Sequence, residues 1–490
     1  MTVLTRNVEP FGPSAPAAMM NEQFVRRSFD LTDNSALDRH AEANSDPAVL
    51  AEIEEIIRAN GVEYIYYQLP TLGSRVVAKV VPAVHFRKTF RSGVFQHRTS
   101  MTDLQTTRTG ALIGGGVGAQ EFVALPDPET FTVLPWDTSV ARVFCSAYEP
   151  NHLPGVGGRP LATDSRAAMR RVHAEFEDHT GFHVRSGCEP EMSWEGAGLE
   201  VIKKDGASPA YQVENLEIMR PVYQKLIRYG QAMGLDMIQG DYEDDGQLEL
   251  NWNYDRIELT ADRLVTYRQI CRQVGRELGI TASFMPKPYV GQMGNGCHHN
   301  LSVWENDDNL LIERGNRELH ISPIGKQLMG GIIENAADMM GVMASTVNSY
   351  KRFWDVGQFA PDVVNWGLDD RSCLVRISSI GRMEYRVPDS AVNPYLSHAL
   401  IVGAYRAGLD GELDPGEPVD QAADREAASG TRVPTTLGDA ISLFDRSGFV
   451  RSVLPDLLVD HYAELKCDEW ARFCGAITDW ERDQYWETVP

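Results

Sequence analysis

Glu189 and Glu191, in the stretch Gly187-Cys188-Glu189-Pro190-Glu191-Met192, are the first residues whose type and spacing point to chemistry. On an extended strand residues i and i+2 project from one face, so these carboxylates stand side by side. Like charges so placed repel and call for a cation or one raised pKa, although a solvated strand edge would carry a lone E-x-E as easily. The run Asp241-Tyr242-Glu243-Asp244-Asp245-Gly246-Gln247-Leu248-Glu249 is dense in acids and amides. Read as one regular strand, it puts Glu243 and Glu249 on a shared face, and its hard oxygen donors suit a divalent cation. The pattern of an EF-hand loop is missing, and an exposed acidic turn would look the same. Gly294-Asn295-Gly296-Cys297-His298-His299-Asn300 leads turn-forming glycines into two histidines. On a strand these imidazoles face opposite ways, so at most one joins a common site; an isolated His more often serves the core. Arg382-Met383-Glu384-Tyr385-Arg386 places Arg, Glu and Arg on one strand face, with Arg352, Arg371 and Arg376 upstream. Surface ion pairing would account for such a stretch. Arginines gathered at a carboxylate-rich cation site would instead bind carboxylate and phosphate through guanidinium forks.

These patches need strands to hold them and helices to cover the strands. Residues 1–20, with three prolines, read as a loose arm. Val49–Asn60 has helical periodicity and Gly61 as its C-cap. The β-rich runs 62–70 and 74–83 join at Thr71-Leu72-Gly73 as a hairpin, and 128–136 and 139–148 are further strands. A Pro/Gly-rich connector, 150–160, leads to a helix over Asp164–Thr180 with caps at Thr163-Asp164-Ser165. Helices over Asn215–Gly234 and Thr260–Gly279 follow, each stopped by Gly, and the acidic segment 410–432 reads as a solvated loop. The expectation is an α+β chain with a small front sheet over 21–155 and a larger unit over 156–490.

With 490 residues, 43% hydrophobic and 23% charged, the chain can bury a sizeable core. Its net charge of −23 opposes a nucleic-acid backbone binder. No apolar run reaches membrane-spanning length, the start lacks a secretory h-region, and the seven cysteines include no C-x-x-C. A reduced, cytoplasmic enzyme is expected.

The order of the patches is more specific than any one of them. E-x-E, E…GQ-x-E, FMPKP (Phe284–Pro288), GNGCH, NSYKR (Asn348–Arg352), DRS…VR, and R-x-E-x-R-x-PD…NPYL together resemble the glutamine synthetase superfamily from about residue 60 onward. SFMPKP and GQLELNW look closest to its γ-glutamylmethylamide and γ-glutamylanilide synthetase-like branch. The resemblance implies an N-terminal β-grasp domain and a C-terminal catalytic domain. It implies one divalent ion (Mg2+ or Mn2+) on Glu191, Glu243 and Glu249, and a second on Glu189, His298 and Glu384. It implies glutamate at Arg352 and Arg386 beside Gly294, ATP phosphates at Arg376 and Arg382 with Asn300 on the nucleotide side, and Arg371 at the transferred phosphoryl group. It further implies homo-oligomeric rings, dodecamers among them, in which one chain's front domain caps its neighbour's site.

Departures from the family pattern bear on the amine. Ammonia-using members carry an Asp in a phrase like F-D-G-S-S; here Phe95-Gln96-His97-Arg98-Thr99-Ser100 has no acid. They place Glu directly before an Ala-Pro pair on the flap; here Gln358-Phe359 precedes Ala360-Pro361. Phe353, Trp354 and Phe359 make that region aromatic, and Met293 stands where the family often has Asn. These rings would either pack the loop or wall an amine pocket. The expected reaction joins the γ-carboxylate of L-glutamate to an organic amine, aromatic (such as aniline) ahead of alkyl, with His97 or Asp355 as the nearest bases. Glutamine synthesis from ammonia is the alternative. A catalytically dead homologue is disfavoured by the complete set of metal-type residues and arginines. The spacing 243–249, shorter than the family's, leaves the ligand register there open by a residue.

Overall fold

A computed structural model describes residues 35–313, 321–354, 360–419 and 431–489. The arm at 1–20, Asp355, Gln358 and Phe359 lie outside the described residues, as does the middle of the acidic segment at 410–432.

Helix α1 (Pro47–Asn60) starts two residues ahead of the expected Val49, on an Asp46 cap with Pro47 in its first turn, and ends as expected where Gly61 turns left-handed. Beyond it β1 (Tyr64–Pro70) and β2 (Val76–Pro82) form the expected antiparallel hairpin. With β3 (Val94–His97), β4 (Glu121–Pro126), β5 (Thr132–Leu134) and β6 (Asp137–Tyr148) they make a six-stranded sheet of order β2-β1-β6-β4-β3, β5 adding to β6. Ile65, Tyr67 and Leu69 alternate with more exposed residues along β1 and pack on Phe86, Phe90 and Phe122.

The second sheet supplies the site. Its ten strands are β7 (His183–Glu195), β8 (Met237–Asp244), β9 (Gln247–Trp252), β10 (Asp255–Arg256), β11 (Thr281–Ser283), β12 (Cys297–Glu305), β13 (Asp308–Asn309), β14 (Trp366–Leu368), β15 (Val375–Ser379) and β16 (Arg382–Tyr385), with the main path β14-β15-β16-β12-β7-β9-β8. Helices α2 (Ser165–Thr180), α3 (Arg220–Ala232), α4 (Ile257–Leu278), α5 (Pro323–Met343), α6 (Pro394–Asp410) and α7 (Asp456–Cys474) surround it. The predicted helix over Asn215–Gly234 is broken at Met219, because Pro221 lacks the N–H to continue a preceding turn and instead opens α3. Among the described residues no helix is long and apolar enough to cross a membrane.

The two sheets are tied by a buried charge. Arg166 of α2 donates to Asp127, just beyond β4, and reaches Asp262 of α4 at 2.8 Å, with all three buried. Such an ion pair adds little net stability but punishes any arrangement that separates its members.

Candidate active site

Pairing of β7 with β12 sets His298 opposite Glu189, and pairing of β12 with β16 sets Asn300 opposite Glu384. His298 Nδ1 lies 3.2 Å from Glu384 Oε1 and 3.6 Å from Glu189 Oε2, and one donor from each of the three falls within 4.8 Å of the others. Its neighbour His299 turns the other way into the core, as strand alternation requires. Burial pushes the Glu384 carboxyl up, but His298, Arg386 and Arg376 outweigh it and hold it well below the usual range. Burial and Arg386 lower His298, while Glu189 and Glu384 pull it above its ordinary value.

On the other side of β7 the strand β9 sets Glu249 opposite Glu191. The run 241–249 is not one strand: it folds back at Asp245-Gly246, where Gly246 takes φ +68° and a Cβ would meet the Trp194 carbonyl oxygen at 2.6 Å. Across that hairpin Asp241, not Glu243, pairs with Glu249. Glu191 accepts from the Gly296 N–H at 2.7 Å and from Gln247 Nε2 at 3.2 Å, and Gly296 leaves no room for a Cβ between His298 and Glu191. Burial, then Glu191 and Asp241, push Glu243 up to about 8; burial, then Glu189 and Glu191, push Glu249 well up. Carboxylates raised by one another and open to one cleft are the donor set a hard divalent cation neutralises.

Glu189, Glu191, Glu243, Glu249, His298 and Glu384 line one cleft of about 320 Å³, together with Gly294, Met293, Ala360 and the five arginines Arg352, Arg371, Arg376, Arg382 and Arg386. Arg386 donates to Glu384 and to the Arg371 carbonyl oxygen. Arg376 bridges Glu384, at 3.0 Å, and Asp369. Arg382 bonds Ser378 Oγ at 2.9 Å, and buried Arg352 donates to the Val387 carbonyl oxygen at 3.1 Å. Arg352, Arg376, Arg382 and Arg386 are thus each anchored by part of the fork.

A protein-family model, "Glutamine synthetase, catalytic domain", matches residues 162–485, the portion that builds this cleft. The chain belongs to the glutamine synthetase family. It is 32% identical over 377 residues to a glutamine synthetase of Rhizobium leguminosarum bv. phaseoli, covering 74% of this chain and 85% of that one. It is 29% identical to a glutamate–methylamine ligase of Methyloversatilis universalis, covering 89% of this chain and 99% of that one. Among solved structures, one titled "GmaS/ADP complex-Conformation 1" superposes with a TM-score of 0.79 at 29% identity, over 88% of this chain and 99% of that one. The fold is the α+β fold of a glutamine synthetase catalytic domain near such amine ligases, and the activity class is ATP-dependent ligase.

Within this glutamine synthetase frame a second cleft, of about 350 Å³, adjoins the first and shares Glu189, Gln239 and Arg382 with it. Tyr254 and Trp304 stack on one side at 6.2 Å between centroids, and Asn300 opens onto it with Oδ1 buried and lacking a hydrogen-bond partner among the described residues. The unsatisfied oxygen suits a polar ligand edge beside aromatic walls.

Other sequence expectations do not converge here. None of Phe95–Ser100 lines this chain's cleft; they lie at β3 and the turn after it, and His97 bonds Thr99 Oγ1 at 2.7 Å. Phe353 packs on the core beside Tyr350, while Trp354 is 68% exposed and donates to the Thr435 carbonyl oxygen, so neither ring walls the cleft. They sit on a short helix, Lys351–Trp354, whose turn aims only Arg352 into the cleft. Conversely, Tyr211, Asp241 and Lys287 line the cleft with no role assigned from sequence. Lys287 was signalled by FMPKP and Asp241 by its acidic run; Tyr211, at φ +61° in a loop, carried no signal.

Proposed function

We propose that this chain joins the γ-carboxylate of L-glutamate to an organic amine through γ-glutamyl phosphate, using ATP, with an aromatic amine such as aniline ahead of small alkylamines. A carboxylate is a poor acyl donor, so it must first be phosphorylated, and a neutral amine then displaces phosphate. Glu191, Glu243 and Glu249 would hold one divalent cation, and Glu189, His298 and Glu384 a second. Mg2+ or Mn2+ held there supplies charge neutralisation on the phosphates and the γ-carboxylate. Arg376 and Arg382 would grip nucleotide phosphates, with Asn300 and the aromatic cleft taking the base. Arg352 and Arg386 would grip glutamate beside Gly294, and Arg371 would stabilise charge on the phosphoryl group in flight. A β-grasp domain over 21–155, a catalytic domain over 156–490, ring assembly with one chain capping the next, and a cytoplasmic location belong to the same reading.

The observation that carries the choice of amine is the missing pair of acids. No acid stands in Phe95–Ser100, Phe359 replaces the flap acid, and Met293 and Ala360 give the cleft an apolar wall. An ammonium ion without carboxylates is desolvated with little return, whereas a neutral organic amine gains by burial. Glutamine synthesis is the second reading, favoured by relatives such as the Rhizobium enzyme. Phosphate release from ATP and glutamate, assayed with ammonia, methylamine, isopropylamine, ethanolamine, polyamines and aniline, separates them. Ammonia giving the highest kcat/KM would replace the first reading by the second.

A further inference from the structure

The strands that carry Glu189 and His298 have a second face, and it holds a different set of donors. Cys188 and His299 are directly opposite each other in the β7–β12 pair, and Cys297 lies two residues along β12 on the same face. All three are at most 2% exposed, and one ligand atom from each lies within 4.8 Å of the other two. Cys188 Sγ is 3.7 Å from His299 Nδ1.

The imidazole is already oriented. Ser397 Oγ donates to the Pro394 carbonyl oxygen at 3.2 Å, so toward His299 it acts as acceptor, 2.8 Å from Nε2. With Ser397 donating to that carbonyl oxygen, Nε2 carries the proton and the Nδ1 lone pair faces the sulfur, the arrangement of a ligating histidine held from behind. His398 stacks on His299 at 4.6 Å but has both nitrogens engaged, by the Pro394 carbonyl oxygen and by Ser186 Oγ. A Cys188–Cys297 disulfide suits the backbone poorly. Diagonal neighbours across a strand pair have Cα atoms about 7–8 Å apart, beyond the roughly 6.8 Å a disulfide spans. A bridging ion needs no such approach.

We propose that Cys188, Cys297 and His299 bind one thiophilic d10 cation, Zn2+ or Cu+, on the face of the sheet opposite Glu189 and His298. Two soft sulfurs and one imidazole select such ions over Mg2+ or Mn2+, which take oxygen donors. Bound there, the ion staples β7 to β12 directly behind two carriers of the oxygen-rich cleft, so the sheet has a soft site on one face and a hard one on the other.

The test uses the full chain produced with added zinc or, separately, copper, then passed under reducing, anaerobic conditions through a column in excess Mg2+. Metal content is read by mass spectrometry and ligation by X-ray absorption. The expected result is about one zinc or copper ion per chain with sulfur neighbours, at ~2.3 Å for zinc. In Cys188→Ala and Cys297→Ala that ion should fall at least tenfold. Whichever metal is retained with sulfur ligation identifies the cation. Absence of both metals from the wild-type chain, or retained metal with only oxygen and nitrogen neighbours, would overturn the proposal. The wild-type spectrum decides it even if neither variant folds.

Discussion

Glu384 Oε1 sits 3.2 Å from His298 Nδ1 while the same carboxylate accepts from Arg386 and Arg376, so one buried side chain links the cation donors to two of the arginines. Glu384→Gln keeps the shape and removes the charge. It should weaken Mn2+ binding, read by isothermal titration, by at least the ~10–100-fold typical of lesser changes around a metal. Unchanged affinity would remove Glu384 from the cation set.

Arg386 and Arg352 are each partly anchored, which leaves the rest of the fork for a carboxylate. Arg386→Lys and Arg352→Lys should each raise the KM for glutamate about tenfold, ~1.4 kcal/mol, while moving the KM for ATP far less. Steady-state kinetics with each substrate varied in turn checks this, and equal changes in both constants would count against the assignment.

Stability should depend on pH in a defined direction when divalent cations are chelated. Glu243, raised to about 8, and Glu249, raised well above its ordinary value, bind protons in the folded chain that the unfolded chain has lost. Their contribution is intact below the ordinary glutamate value near 4.5 and is lost as pH climbs toward 8. Glu189 and Glu384, both held low, contribute above their unfolded value and lose that contribution only in more acidic solution, outside this window. The Tm in chelator should therefore fall from about pH 5 to about pH 8, and Mg2+ should restore more stability at the upper end. A flat profile by differential scanning fluorimetry would contradict the mutual repulsion of these acids.

Amine selectivity should follow apolar burial. A ring burying on the order of 100 Å² gains ~2.5 kcal/mol, nearly two decades in kcat/KM. Phe359→Glu should improve ammonia use relative to aniline, and an unchanged ratio would confine Phe359 to packing.

Strand alternation made part of this site readable before any coordinates. E-x-E on β7 and the opposed pair His298–His299 on β12 needed only the two-residue period, and both point as that period requires. The β1–β2 hairpin and α1 were equally local, set by turn residues and a capping glycine. The acidic run was not, because Asp-Asp-Gly-Gln is as polar in a strand as in a turn; only the fold-back at Gly246 brings Asp241 opposite Glu249. Helical rotation likewise decided Phe353 and Trp354, sending one ring to the core and the other to the surface.

Arg166 has a consequence for how the molecule comes apart. Its guanidinium is shared between Asp127 at the edge of the first sheet and Asp262 on a helix packed against the second. Opening either side alone would take away one of the two carboxylates that neutralise it. Partial melting is thereby penalised from both directions, which couples the loss of structure in the front sheet to that in the body behind it.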